Sequence, residues 1–264
     1  MIRYLIILLL AGKTLLLDAK TYQPKEDLVS EKNAKGWFPL AEEKRTAAMM
    51  VSSEDFPGVI RAFKDLQDDI RKVTSILPSL YEDRLPSSKF IILAGTIDKS
   101  PIIKKLSDEG KIDVHDIRGK WEAFVIQTIR NPFPGVKQAL VIAGSDKRGT
   151  IYGIYELSEQ IGVSPWYWWA DVPVQHKSSL YIRPIKYQEG EPSVKYRGIF
   201  LNDEYPALTN WVREKFGTAE ARNDPPVPPG VANYGHAFYS RIFELLLRFK
   251  GNYLWPAMWN NAFN

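Results

Sequence analysis

The chain contains no cysteine. Thiol catalysis, thiolate metal sites and disulfides are therefore excluded, while the redox compartment is left open. Histidine is scarce. Its three residues, at 115, 176 and 236, are too widely spaced for a metal cluster, so no metal and no cofactor is expected. No run of five or more basic residues occurs although the formal net charge is +4. The footprint of a nucleic-acid binder is missing and no such partner is expected. Four catalytic or cofactor patterns are also absent: the phosphate-cradling G-x-x-x-x-G-K-[ST], the dinucleotide G-x-G-x-x-G, the zinc-hydrolase H-E-x-x-H and the nucleophile elbow G-x-S-x-G. The apolar run at residues 4–12 is too short to span a bilayer, so no membrane partner is expected. With its charged start and a small residue at 19, the stretch 1–19 reads instead as a secretory signal peptide and points to an extracellular protein. A buried N-terminal strand is the alternative.

What is present is the material of a globular protein: 264 residues, 45% hydrophobic and 25% charged, enough for one large domain or two modest ones. Aromatic residues reach 12%, with eight tryptophans. Their flat apolar faces with polar edges stack on sugar rings, and they fill cores equally well. A mildly basic surface is compatible with an acidic polysaccharide.

Along the chain, 46–53 reads as a short buried strand. Apolar residues at 59, 60, 63, 66, 70, 73, 76 and 77 recur at helical spacing over 56–77, with Asp55 as the expected cap and Pro78 as the stop. The continuous apolar runs 89–94 and 138–143 suit strands buried on both faces. The segment 101–109 reads as a short helix and 122–130 as a strand. The helical face at 151–161 ends at Gly162, a suitable C-terminal stop. Strands alternating with helices predict an α/β layered domain over 40–185, with 179–183 as its last strand. The prolines and glycine of 184–192 mark a boundary. A strand from Val194, a helix over 206–216, a proline-rich loop at 223–230, an amphipathic helix over 238–249 and a strand from Asn252 follow.

Four segments carry candidate chemistry. G-S-D-K-R-G at 144–149 links a strand to a helix, where N–H groups attract anions and Lys147 and Arg148 add charge; a tight turn with a capping Asp is the plainer reading. P-W-Y-W-W-A-D at 165–171 either exposes alternate aromatics or forms a seam between domains. Asn202, Asp203 and Glu204 follow R-G-I-F-L at a strand end, where barrel enzymes place active residues and glycosidases need carboxylates; helix capping is the local alternative. W-P-A-M-W at 255–259 ends the next strand, and there Trp255 would stack on a sugar or pack in the core.

Together these residues resemble glycoside hydrolase family 115, the xylan α-1,2-glucuronidases. The matching stretches are 144–173, K-Y-R-G-I-F-L-N-D-E at 195–204, and F-Y-S-R-I-F-E-L-L-L-R-F-K-G-N-Y-L-W-P-A-M-W at 238–259. The resemblance implies an N-terminal α/β domain followed by the first β-α-β unit of a truncated (β/α)8 barrel at 194–264. It implies removal of glucuronic acid, or its 4-O-methyl ether, from xylan with inversion. Asp203 maps to the family's acidic residue that contacts substrate after the first barrel strand, and Trp255 to its pocket tryptophan. Asn202 and Glu204 flank that site, and Lys147 or Arg148 would reach the uronate carboxylate, since arginine suits bidentate carboxylate binding. The family's acid/base pair lies on later strands, so it is expected downstream of Asn264, and this chain alone is expected to be weakly active or inactive. The implied partner is glucuronoxylan or its oligosaccharides, with a homodimer in the full-length family. The rival reading is a non-catalytic carbohydrate-binding or scaffold protein.

Overall fold

A computed structural model describes residues 27–203, 206–219, 222–223, 226–227 and 230–258. The expected signal segment, Glu204 and Trp259 lie outside the described residues. The chain opens with four strands, β1 (Val29–Ser30), β2 (Phe38–Glu42), β3 (Arg45–Thr46) and β4 (Ala48–Val51), then helix α1 (Pro57–Thr74) and β5 (Leu80–Glu82). There follow β6 (Phe90–Thr96), α2 (Pro101–Asp108), β7 (Phe124–Arg130), β8 (Gln138–Gly144), α3 (Lys147–Ile161), β9 (Ser179–Ile182) and β10 (Tyr187–Glu189).

A six-stranded sheet in the order β10-β7-β8-β6-β4-β5 is the centre of this unit. Strands β5, β4, β6 and β8 run parallel, and β7 and β10 close one side antiparallel. The apolar runs fit because both faces are covered. Side chains alternate across a strand. Leu140 and Ile142 of β8 therefore enter the layer beneath α1 and α3, while Ala139, Val141 and Ala143 enter the layer beneath α2. Ile92 and Ala94 of β6 divide from Ile91 and Leu93 in the same way.

Several expectations are corrected. The layered unit runs past both ends of 40–185. Segment 179–183 is not the last strand of the main sheet: β9 belongs to a second sheet, ordered β1-β9-β2-β3. The supposed linker 184–192 instead contains β10, which pairs with β7 through Tyr187↔Ile126. Phe56, not Asp55, occupies the cap of α1. The Asp55 carboxylate is buried and accepts from the Thr96 N–H at 2.7 Å, the Thr96 hydroxyl at 2.9 Å and the Phe56 N–H at 2.7 Å. It thus ties the start of α1 to the end of β6, and burial pushes its carboxyl up against those hydrogen bonds. Helix α1 ends at Thr74, before Pro78, because Ser75 takes a left-handed φ of 63°.

The rest of the described chain folds as β11 (Gly198–Phe200), α4 (Ala207–Phe216), the minimal pair β12 (Arg222–Asn223) and β13 (Pro226–Val227), which overlaps the expected loop 223–230, α5 (His236–Arg248) and β14 (Tyr253–Trp255). Strands β11 and β14 are parallel. A third apolar cluster, including Leu201, Val212, Phe238, Ile242 and Ala257, fills the space between them and the two helices.

This second unit docks on the first through aromatics and buried charges. Segment 165–169 is a turn rather than an alternating strand, and its side chains form the seam. Trp169 stacks on Trp211 at 5.2 Å and meets Phe238 edge-on, while Trp168 meets both Trp169 and Trp211 edge-on. Beside the seam, Arg248 (2% exposed) reaches Asp69 (0%) at 2.8 Å and Glu244 at 3.0 Å. Lys250 reaches Glu156 at 2.6 Å and Glu189 at 2.7 Å. The buried Tyr152 hydroxyl donates to the Gly251 carbonyl at 2.9 Å. Burial alone would raise the Glu156 carboxyl, but Lys250 and hydrogen bonds from Gln160 and Tyr187 hold it down at about 2.

Arg248→Met would leave Asp69 and Glu244 buried without this cation. The expected cost is about 3 kcal/mol, the low end for breaking a buried pair because Lys72 stays beside Asp69. It would be read as a lower urea midpoint, and an unchanged midpoint removes the pair from the docking account. Glu156 has a depressed carboxyl, so its stabilisation is complete above its ordinary value of 4.5 and fades as pH falls towards about 2. Tryptophan fluorescence should show the seam loosening over that window, and less acid sensitivity in Glu156→Gln.

Candidate functional site

The parallel pair is drawn together by a glycine. A Cβ on Gly198 would lie 1.7 Å from the Tyr253 carbonyl oxygen, so only glycine allows this approach and the R-G of the motif is required. The pairing runs Gly198↔Tyr253, Ile199↔Leu254 and Phe200↔Trp255, and the Leu201 N–H extends it to the Trp255 carbonyl at 2.9 Å. Both strands therefore deliver their following residues to one end.

At that end Asp203 is buried, 4% exposed. Its Oδ1 accepts from the Met258 N–H at 3.3 Å, and its main-chain carbonyl accepts from the Thr209 hydroxyl at 2.5 Å. Thr209 in turn lies 3.3 Å from the Tyr234 hydroxyl, and the Tyr239 hydroxyl accepts from the Ala257 N–H at 3.2 Å. Burial, then the neighbouring Asp203 charge, pushes the Tyr239 phenol up. Asp203 thus joins the segments that follow the two strands. Trp255 is 49% exposed. It packs edge-to-face on the exposed Phe200 at 5.3 Å and its Nε1 donates to the Met258 sulfur at 2.8 Å. Asn202 is exposed beside them. The result is an open aromatic rim with a buried carboxylate behind it. Among the described residues no three His, Asp or Glu side chains converge as a metal site.

Lys147 and Arg148 are not brought to this rim. They line a cleft with Gly251, Asn252 and Tyr253, at the start of β14 rather than its end. Arg148 donates to Glu122 at 2.5 Å, as does Arg197, and Asn252 donates to the same carboxylate at 2.8 Å. The Glu122 side chain is 0% exposed. Burial would raise its carboxyl, yet Arg197, Asn252 and Arg148 hold it below the ordinary range. The N-terminus of α3 already holds an anion: Asp146 accepts from the Gly149 N–H at 2.7 Å and the Glu122 N–H at 2.9 Å. A Cβ on Gly149 would lie 2.2 Å from the Ala123 carbonyl oxygen. The loop motif is accounted for by capping and close packing. Sequence reasoning missed Glu122, Arg197 and Asn252. The two donors sit beside recognised strand motifs, but their shared acceptor is 75 residues from Arg197 and 130 from Asn252, and nothing local signals it.

A family model described as glycosyl hydrolase family 115 matches residues 189–264, which include the whole parallel pair. A solved structure of a family GH115 4-O-methyl-α-glucuronidase with specificity for decorated arabinogalactans is 33% identical, with a TM-score of 0.66 over 84% of this chain. The chain belongs to glycosyl hydrolase family 115. This family 115 chain spans 26% of that enzyme's length, and a likeness over 84% of the chain reaches well into the α/β unit. An N-acetyl-β-hexosaminidase of Streptomyces plicatus is 11% identical over 67% of this chain and 29% of its own, with a TM-score of 0.38, too low to carry an argument. No curated protein matches the chain.

Asp203→Ala in this family 115 chain would leave the Met258 N–H without its acceptor. A loss of about 1–3 kcal/mol is expected, together with a changed near-ultraviolet circular dichroism as Trp255 shifts. Asp203→Asn, which keeps an acceptor oxygen, should lose less, and the solvated Lys147→Ala should stay within about 0.5 kcal/mol of the parent. Equal stability of Asp203→Ala and the parent would contradict the joining role.

Proposed function

We propose that this chain carries the N-terminal α/β unit and the first β-α-β unit of a (β/α)8 glycosidase barrel. The full-length enzyme removes glucuronic acid, or its 4-O-methyl ether, from polysaccharide such as glucuronoxylan, with inversion and outside the cell. One observation carries the reading: Asn202 and Asp203 follow one strand, and Trp255 ends the other, at the C-terminal ends of two adjacent parallel strands. Barrel enzymes build their active sites at that end. Membership of a glycoside hydrolase family supports the reaction class.

The roles follow from exposure. Trp255, backed by Phe200, is the flat wall for a sugar ring. Asp203 holds the wall in place and lends negative potential behind it. Inversion needs two carboxyls about 6.5–9.5 Å apart with water between them. Asp203 is engaged between strand ends and Glu204 is its chain neighbour, so the acid/base pair belongs to other parts of the full-length enzyme. The 264-residue chain alone is therefore weakly active or inactive. The exposed Phe200–Trp255 pair also favours a second reading, a carbohydrate-binding module without catalysis.

Titration of the purified chain with xylo-oligosaccharides, with and without a 4-O-methylglucuronate branch, separates the two. Binding that needs the branch and weakens about tenfold in Trp255→Ala, a loss of about 1.4 kcal/mol, supports the uronate pocket. Equal binding of unbranched oligosaccharides supports the general module, and rapid uronate release by this chain overturns its inactivity.

A further inference from the structure

We propose that the α/β unit carries a second, electrostatic binding groove for a uronate-bearing polysaccharide, built on the loop before β2 and the neighbouring ends of β7, β8 and β6. Two hollows adjoin there, of about 720 and 600 Å³, and they share Asn131 and Lys137. Together they form an extended trough, suited to a chain rather than a compact metabolite. None of its lining residues belongs to the Asp203–Trp255 rim.

The trough combines the two surfaces that an acidic glycan needs. Its aromatic faces are Trp37, Phe90 and Phe133, all half-buried. The Trp37 loop is fixed because Gln138 donates to the Gly36 carbonyl at 3.1 Å, and the Arg183 guanidinium lies 5.5 Å from the Trp37 ring centroid. Phe90 is packed edge-on against the buried Phe38 at 6.0 Å. Its cations are Lys35, Lys89, Lys111, Arg130 and Lys137, all exposed; Lys111 pairs with Glu109 at 2.8 Å, and the other four enter no ion pair among the described residues. By contrast, the cations Arg148, Arg197, Arg248 and Lys250 elsewhere in the molecule all hold carboxylates. The acidic residue in the wall, Glu42, accepts from the Tyr181 hydroxyl at 3.0 Å.

A concave surface lined mainly by one sign of charge concentrates oppositely charged ligands. Arginine grips a carboxylate with two parallel donors, and aromatic faces take the apolar faces of sugar rings. Here the cations are separated by amides, aromatics and one glutamate. That spacing suits a polymer charged only at its branches. A nucleic acid carries a charge every ~3.4 Å along each strand and calls for a denser basic surface. The inference takes from the proposed function only the ligand class. It adds a second holding site for the anionic polymer, built from other residues than the rim.

Native affinity electrophoresis of the 264-residue chain in gels containing glucuronoxylan tests this. Retention is expected. It should weaken about tenfold in the Arg130→Gln/Lys137→Gln double variant, weaken similarly in Lys35→Gln/Lys89→Gln, fade with added salt, and remain in Trp255→Ala. Near-ultraviolet circular dichroism checks that each variant is folded. Absence of retention, retention of either double variant equal to the parent's, or retention in carboxyl-reduced xylan equal to that in glucuronoxylan overturns the groove. Equal competition by duplex DNA at matched charge also overturns it, as a generic polyanion surface. A chain that releases no uronate but is retained through Arg130 and Lys137 supports the groove whatever becomes of the catalytic reading. Loss of oligosaccharide binding in Trp255→Ala with retention intact separates the two sites.

Discussion

Three carboxylates buried in the α/β unit decide where everything after residue 190 sits. Asp69 on α1, Glu122 before β7 and Glu156 on α3 meet Arg248, Arg197 and Lys250 from the second unit. A buried carboxylate without a cation is costly, whereas a well-bonded pair is close to neutral. The pairs therefore contribute less to raw stability than to uniqueness of docking. A slip of α5 by one turn, about 5.4 Å, would part Arg248 from Asp69 and carry Lys250 from Glu156. The indole seam of Trp168, Trp169 and Trp211 supplies apolar burial around these fixed points.

This anchoring grips the parallel strands at one end only. Arg197 and Asn252, which hold Glu122, immediately precede or lie next to the first residues of β11 and β14. The opposite ends, with Asn202, Asp203 and Trp255, are left to form the rim. Lys147 and Arg148 fall at the gripped end, beside Gly251, Asn252 and Tyr253. Their loop looked like an anion site because helix N-termini attract negative charge, and it does hold carboxylates: the protein's own Asp146, and Glu122 through Arg148.

The same question, whether a cation already has an internal carboxylate, separates the two cationic regions of the surface. Around Glu122, Asp69 and Glu156 the positive side chains are used up in docking. Around Trp37 and Phe90, Lys35, Lys89, Arg130 and Lys137 remain turned to solvent. A formal charge of +4 spread along the sequence says nothing of this division.

The sequence by itself determined the elements whose cause is local. Continuous apolar runs at β6 and β8, helical spacing over α1 and α3, the left-handed stop at Gly162 and the glycine of the R-G pair each follow from backbone geometry or from burial on both faces. The motifs also carried the family. Short strands such as β1, β3 and β10 were illegible, because two or three residues hold no period and their pairing partners lie far along the chain. Asp55 read as a helix cap because the sequence shows its neighbours and not Thr96, 41 residues away. Only the tertiary structure decided which candidate site residues share a rim, that Asp203 is buried against Met258, and that Arg148 is spent on Glu122. Contacts between charges distant in sequence depend on the direction in which each strand and helix is finally aimed, and that direction is set by packing.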